Sequence, residues 1–436
     1  MNLKNNKILF LNHARDKKHM RFMDNLFKLH TLYPIIEDGD IDFQVLWVGS
    51  SVETISPELD WKVFNKVYEY RPSVIILYGW GYKLKDIDKK EYISYLTLYL
   101  LKTMFKVKII PLLFDQAFIN FSESDNLVSM CDFAFTHEMR KVFVNHTKFP
   151  DKHIIVPPTV TKAFNGDVDT HKDINVLFIG GFKGRYPEER MKGIESLRLE
   201  GIEVFNPSGR TGASDSDDFI SNESITDYTK RAKIVINWTR HISGAWHQAK
   251  ARCFEATLAG ALLISEECEA VNYFFKPNVD YITFNNEEDL VEKVKYYLTH
   301  EVDRIRIAKN GWNVANKKYS SESIRKEMMD KINSVSYFDI KDARYSLALN
   351  STYNEKRVAK MYSRKIVKTY DIDHKRFDES LLLVDESYNS IFRRIRFFIE
   401  YIGTCHNPFI ITTYVPLVKY ILPTQVYNFL KKNISL

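Results

Sequence analysis

The chain has 436 residues, 45% hydrophobic and 27% charged, with a formal net charge of +6. That is a soluble globular composition, too long for one ordinary core, and two domains with an extension are expected. The mild basic excess suits a nucleotide phosphate or an anionic membrane surface; without a long basic tract, an RNA-binding signature or a zinc signature, nucleic acid is not an expected partner.

Four cysteines, Cys131, Cys253, Cys268 and Cys405, lie far apart with no CxxC. This argues against a disulfide framework or a structural metal and points to a reducing compartment. Lys7 leads straight into ILFLN, an apolar run too short for a signal peptide, so a cytoplasmic protein is expected.

The N-terminal part alternates strand-like and helical stretches. Strand-like runs are NKILFLN (6–12), FQVLWVG (43–49), SVIILYGW (73–80), VKIIPLLF (107–114) and DFAFTH (132–137). Helical periodicity passes through Phe22, Leu26 and Leu29 and recurs near 59–70, 89–105 and 138–146. Strands separated by helices predict a parallel sheet covered on both sides. Ligands of such sheets bind beyond the carboxyl ends of the strands, which directs attention to His13 through Asp16, Tyr78 through Trp80, and Asp115 with Gln116.

Residues 151–172, with Pro157, Pro158 and the polar NGDVDTHKD, read as a linker. A second alternation follows: INVLFIG (174–180), a helix from Pro187 to Glu200, IEVF (202–205), a polar loop from Asn206 to Ser224, a short helix through Tyr228 and Arg231, and KIVINW (233–238). Trp246–Ser265 then reads as one helix, a turn at Gly260 and a buried strand, followed by a helical turn around Val271–Phe275, DYITF (280–284) and helices from Glu287 to about Tyr319. On the helix expected from Trp246, Gln248, Arg252 and Glu255 share one face while Phe254 and Leu258 point to a core. The predicted fold is α/β, two Rossmann-like doubly wound domains at 1–160 and 173–335, with a mostly helical extension at 336–436. Within that extension 376–436 is apolar, aromatic and basic but interrupted by charges and prolines. It reads as an interfacial segment for an anionic membrane or as a packing surface for the body or a homo-oligomer, not as a spanning helix.

Chemistry concentrates in the second domain. In FIGGFKGRYPEER, Gly180 and Gly181 end a strand and Lys183 and Arg185 precede a helix, an arrangement that lets backbone amides and cations approach a phosphate. The loop carrying Arg240, Ser243 and Gly244 leads toward a second helix start, so a diphosphate site is plausible. Lys250 and Arg252 are candidate phosphate cations and Glu255 a candidate acceptor for both ribose hydroxyls. Spacing alone equally allows Arg252 and Glu255 to form a surface ion pair. The acidic run Asp215, Asp217 and Asp218 reads as a solvated loop rather than a metal site.

The stretches RCFEATLAGALLIS, NVDYITFNNEEDLVEKVKYYL and IRIAKNGWNVANKKYSSESIRKEM resemble the donor domain of GT-B glycosyltransferases, nearest the "glycosyl transferases group 1" and CgeB-like group, over about 174–335. The resemblance implies a nucleotide-diphosphate sugar as donor, a glycan or lipid-linked acceptor on the N-terminal domain, no metal or other cofactor, and a ribose contact by Glu255. Many retaining relatives carry another Glu eight residues earlier, where this chain has His247. An inverting course requires a base, for which His13, Asp16 and Asp115 are the strand-end candidates. The rival readings are a non-catalytic glycosyltransferase-like assembly protein and a nucleotide-sugar epimerase on the same fold.

Overall fold

The computed structural model describes residues 7–13, 24, 28–30, 33–37, 41–48, 57–78, 98, 101–102, 105–114, 124–125, 127–181, 188–207, 220–240 and 246–336. The extension predicted beyond 336, most of the helix predicted at 89–105 and the acidic run Asp215–Asp218 lie outside the described residues.

The first sheet comprises β1 (Lys7–His13), β2 (Asp42–Val48), β3 (Val74–Tyr78), β4 (Lys108–Leu113), β5 (Ala134–Thr136) and β6 (His153–Ile155), in the order β2-β1-β3-β4-β5-β6. The second comprises β7 (Ile174–Leu177), β8 (Val204–Phe205), β9 (Ala232–Asn237), β10 (Leu262–Glu266) and β11 (Ile282–Phe284), in the order β8-β7-β9-β10-β11. All recorded pairings are parallel. In both sheets the chain reverses direction of growth after its second strand, so the switch points lie between β1 and β3 and between β7 and β9.

The strand sequences account for this. In the second sheet Ile234, Ile236, Leu262 and Ile264 fill the core on one face, whereas Val235, Ala261 and Leu263 belong to the core on the other. Strands buried on both faces need continuous apolar runs, which is how they read. The helices that cover the sheets are α1 (Tyr33–Ile36), α2 (Pro57–Tyr70), α3 (Arg140–Phe143), α4 (Glu188–Leu199), α5 (Asn222–Arg231), α6 (Ala251–Leu258), α7 (Glu269–Phe274), α8 (Glu287–Thr299), α9 (Glu301–Lys318) and α10 (Ser321–Ser334). Side-chain caps mark several of their starts: Ser221, Asn286 and Ser320 accept from the amides of Ser224, Asp289 and Ser323. Among the described residues no helix is long and apolar enough to cross a membrane.

Three features differ from the sequence reading. The predicted linker 151–172 contains β6, which extends the first sheet through His153↔Ala134 and Ile155↔Thr136. The helix expected from Trp246 begins instead at Ala251, because residues 246–250 are held extended: Arg240 bridges His247, and the Gln248 amide donates to the Thr239 carbonyl at 2.9 Å. Finally, α10 leaves the second sheet and packs Ile324, Met328, Met329 and Ile332 into the first core beside Ile8, Phe10, Ile76 and Ile110.

Candidate functional site

A cavity of about 300 Å³ opens between the carboxyl ends of the two sheets. From the first side it is walled by His30 and by the residues ending or following three strands, Tyr78 (β3), Phe114 (β4) and His137 (β5). From the second it is walled by Ile179, past the end of β7, and by Gln248, Lys250, Arg252 and Glu255 at the start of α6.

Arg252 is built in from several elements. Its guanidinium lies over the Phe178 ring, 4.9 Å from the centroid, and Nη1 donates to Oδ1 of buried Asn237 at 2.8 Å. The Asn237 amide is itself oriented, donating to Ser265 Oγ at 2.9 Å and toward Cys253 Sγ at 3.3 Å. Gly180 makes room: a Cβ there would sit 2.8 Å from the Phe178 ring and 2.9 Å from Arg252 Nη2. Burial, reinforced by the neighbouring positive charge of Arg190, pushes Arg252 down to about 10, and Glu255 partly offsets this. The group stays cationic at neutral pH. Its buried Nε has no hydrogen-bond partner among the described residues. Arg190, on α4, is half-buried, lowered chiefly by burial, and donates from Nη1 to the Gly181 carbonyl at 3.2 Å.

Glu255 is 5% exposed and does not form the surface ion pair that spacing allowed. Its Oε1 is in close contact with His30 Nε2 from the first half of the chain. Gln248 is not on α6, yet it still lines the cavity with Arg252 and Glu255, because the extended stretch before the helix carries it to the same wall.

His247 sits behind this wall, at the ends of β9 and β10. The Thr239 hydroxyl donates to Glu266 Oε2 at 2.8 Å and therefore accepts from His247 Nδ1 at 2.7 Å. Burial opposes ionisation of Glu266, but bonds from His247 and from the Thr239 amide and hydroxyl hold it down to about 2. Arg240 pairs with Glu189 at 2.6 Å. Neither Arg240 nor His247 is among the residues lining the cavity.

The structure thus brings together Gly180, Lys250, Arg252 and Glu255, with Gly181 alongside through Arg190. Lys183, Arg185, Ser243, Gly244, Asp16 and Asp115 lie outside the described residues, as does the side chain of His13, whose backbone ends β1. His30, His137, Asn237 and Arg190 join the site without having been singled out, although His137 and Asn237 share the strand-end position and Arg190 closes the FIGGFKGRYPEER stretch. Among the described residues no group of three or more His, Cys, Asp or Glu is placed to hold a metal ion.

Comparison with known proteins bears on the whole assembly. Residues 169–330 match the model of a family described as glycosyl transferase-like. The Anabaena protein HepE in complex with UDP-glucose superimposes with TM-score 0.51 at 13% identity, covering 75% of this chain and 99% of that one. Sucrose-phosphate synthase from Thermosynechococcus elongatus does so at 0.51 and 10%, covering 76% and 98%.

This is the GT-B fold.

A glycosyltransferase from Rickettsia africae aligns equally, at 0.51 and 10% over 76% of this chain and 99% of its own. No curated protein sequence matches the chain. In the GT-B frame the cavity is the cleft between the two Rossmann-like halves, with Arg252 at the switch point of the second.

Proposed function

We propose that the chain is a glycosyltransferase that moves a sugar from a nucleotide-diphosphate donor to a glycan or lipid-linked acceptor. The donor diphosphate lies against Gly180, Gly181, Lys250 and Arg252, and the ribose hydroxyls against Glu255. The observation that carries this reading is Arg252, a guanidinium held by an amide dipole and a ring face, repelled by Arg190 and left with an unpartnered buried Nε among the described residues. A cation built in without its own carboxylate is arranged for an incoming anion. The first turn of α6, whose N-cap Lys250 makes no side-chain cap bond, adds backbone dipoles of the same sign at the cavity wall.

Charge accumulates on the departing diphosphate as the glycosidic bond breaks, and Arg252 with Arg190 supplies the stabilisation. Two fixed guanidiniums make a divalent ion unnecessary, so transfer is proposed to proceed in EDTA. The finer placement, a hexosyl transfer of CgeB-like type in surface-glycan synthesis at the cytoplasmic membrane face, follows the sequence resemblance and the character of 376–436.

The test is a thermal-shift screen against UDP, GDP, ADP, CMP and their sugar conjugates, beginning with UDP-glucose because the Anabaena protein was crystallised with it. A ligand that binds only the folded state raises the midpoint with concentration. One nucleotide should do so in the wild type and lose its effect in Arg252→Ala and Glu255→Ala. No shift with any nucleotide overturns the reading.

A further inference from the structure

We propose that His30 is a latch on the donor site: its imidazole holds the carboxylate of Glu255, and a nucleotide must displace it to seat its ribose. This rests on the assignment of the ribose hydroxyls to Glu255, and it makes donor affinity a competition between two ligands of one carboxylate.

The contact crosses the cleft. His30 comes from the first half of the chain and Glu255 from α6 in the second, and both line the cavity. Nε2 of His30 is in close contact with Oε1 of Glu255, and because an ionised carboxylate only accepts, the imidazole is the donor. A hydrogen bond with an ionised partner is of the stronger kind. A carboxylate that accepts from both hydroxyls of a ribose uses both oxygens, yet the Glu255 side chain is only 7% exposed. With so little of it open, the imidazole and a ribose hydroxyl compete for the same approach to Oε1.

Opening the latch moves a side chain and not a wall. The backbone that carries His30 is anchored: its carbonyl accepts from the Thr159 hydroxyl, and the neighbouring Leu29 carbonyl accepts from the Thr161 amide at 3.0 Å. Leu29 is itself buried in the core that holds Phe254 and Leu258 of α6. The His30 side chain is 22% exposed, more open than its partner, so rotation about its own side-chain bonds releases Glu255 while both walls stay in place.

Such a latch weakens binding in proportion to the time it is closed. An imidazole that leaves the carboxylate for about a tenth of the time makes a ribonucleotide bind about tenfold more weakly than an open site would. A nucleotide without ribose hydroxyls makes no demand on Glu255 and escapes this penalty. Recognition of ribose is thereby coupled to release of a contact that ties the two halves of the molecule together.

The experiment measures binding of UDP, GDP, ADP and CDP, each beside its 2′,3′-dideoxy counterpart, to the full-length protein by calorimetry. His30→Ala and His30→Leu remove the hydrogen-bond donor; both should bind the preferred ribonucleotide about tenfold more tightly than wild type, while its dideoxy counterpart binds as before. His30→Gln keeps an N–H donor and should fall between. The imidazole proton signal missing from the His30→Ala spectrum should shift when the ribonucleotide is added to wild type and stay in place with the dideoxy compound. Unchanged ribonucleotide binding in His30→Ala and His30→Leu overturns the latch, and so does weaker binding, which would make the imidazole a ribose ligand. Equal tightening of the dideoxy compound also overturns it, since that is the effect of a cavity merely widened. The donor assignment fails separately: adding Glu255→Ala to His30→Ala should abolish the preference for ribose, and if that preference survives, or if no nucleotide binds any variant, ribose does not lie on Glu255.

Discussion

Arg252 owes its position to residues distant in sequence, Phe178, Asn237 and Gly180, and the glycine is the most direct handle on it. Gly180→Ala would put a methyl 2.8 Å from the buried Phe178 ring and 2.9 Å from Arg252 Nη2, so the ring and the guanidinium resting on it must both shift. The variant should still fold, with Tm lowered by a few degrees, and bind nucleotide at least tenfold more weakly by calorimetry; unchanged affinity would separate Arg252 from the proposed phosphate site. Glu266 tests the opposite kind of residue, one that supports the wall without touching the cavity. Its folded value, about 2, lies below the 4.5 of the unconstrained group. The unfolded chain therefore binds the extra proton as pH drops, and the carboxylate's contribution is fully present above pH 4.5 and is lost as pH falls toward 2. Its ceiling is about 3 kcal/mol, less what partial solvation removes. Urea midpoints for Glu266→Gln should lie below wild type at pH 7 and draw steadily closer to it as pH falls from 4.5 toward 2; a gap that stays constant would assign the loss to packing. Arg252 and Glu255 were legible as a charged pair near a helix, but their true partners were not. The Glu255 contact with His30 spans 225 positions, and no periodicity encodes such a pairing.

At the level of elements, glycines report how closely the chain approaches itself. Gly260 ends α6 with φ +72°, and a Cβ there would meet the backbone of Asp167 and Val168 at 2.7 Å. Gly311, inside α9, has a negative φ, yet its Cβ would fall 2.3 Å from the Asp280 carbonyl oxygen. Helix propensity favours Gly311→Ala by about 1 kcal/mol, whereas the clash is with fixed backbone. The clash should win: Tm should fall by several degrees in calorimetry, and a rise would mean that α9 can slide away from the 276–280 turn. The same elements show where sequence reading succeeds. β3, β9 and β10 were legible because burial on both faces demands unbroken apolar runs, and Gly260 because no other residue accepts that turn cheaply. The start of α6 was not legible. Gln248, Ala249 and Lys250 suit a helix by propensity, but the Arg240 bridge and the Thr239 carbonyl hold them extended, a tertiary contact overriding a local preference. β6 was missed because three residues beginning with His153 carry too little pattern to announce a strand.

In the whole molecule the two halves are tied by contacts on both sides of the cleft. Trp246 donates to Glu138, His30 meets Glu255, and Lys108 Nζ donates to the Ile332 and Val335 carbonyls at 2.6 Å each. The last of these belongs to α10, which follows the second sheet in sequence and completes the core of the first. That division of labour makes a prediction that chain order alone would not. Met328→Ala and Ile332→Ala remove side chains that are 1% and 2% exposed, for an expected cost of about 2–5 kcal/mol each. In hydrogen exchange the loss of protection should appear at the amides of β1, β3 and β4, more than 200 positions earlier in the chain, while β7, β9 and β10 keep theirs. Weakening confined to the second sheet would place α10 with its sequence neighbours instead. The outcome also bears on the cleft, since Tyr78 and Phe114 stand at the ends of β3 and β4. A first sheet loosened from behind should disturb the Phe114–His137 stack on its side of the cavity, while nucleotide affinity, proposed to rest on residues of the other wall, should change less.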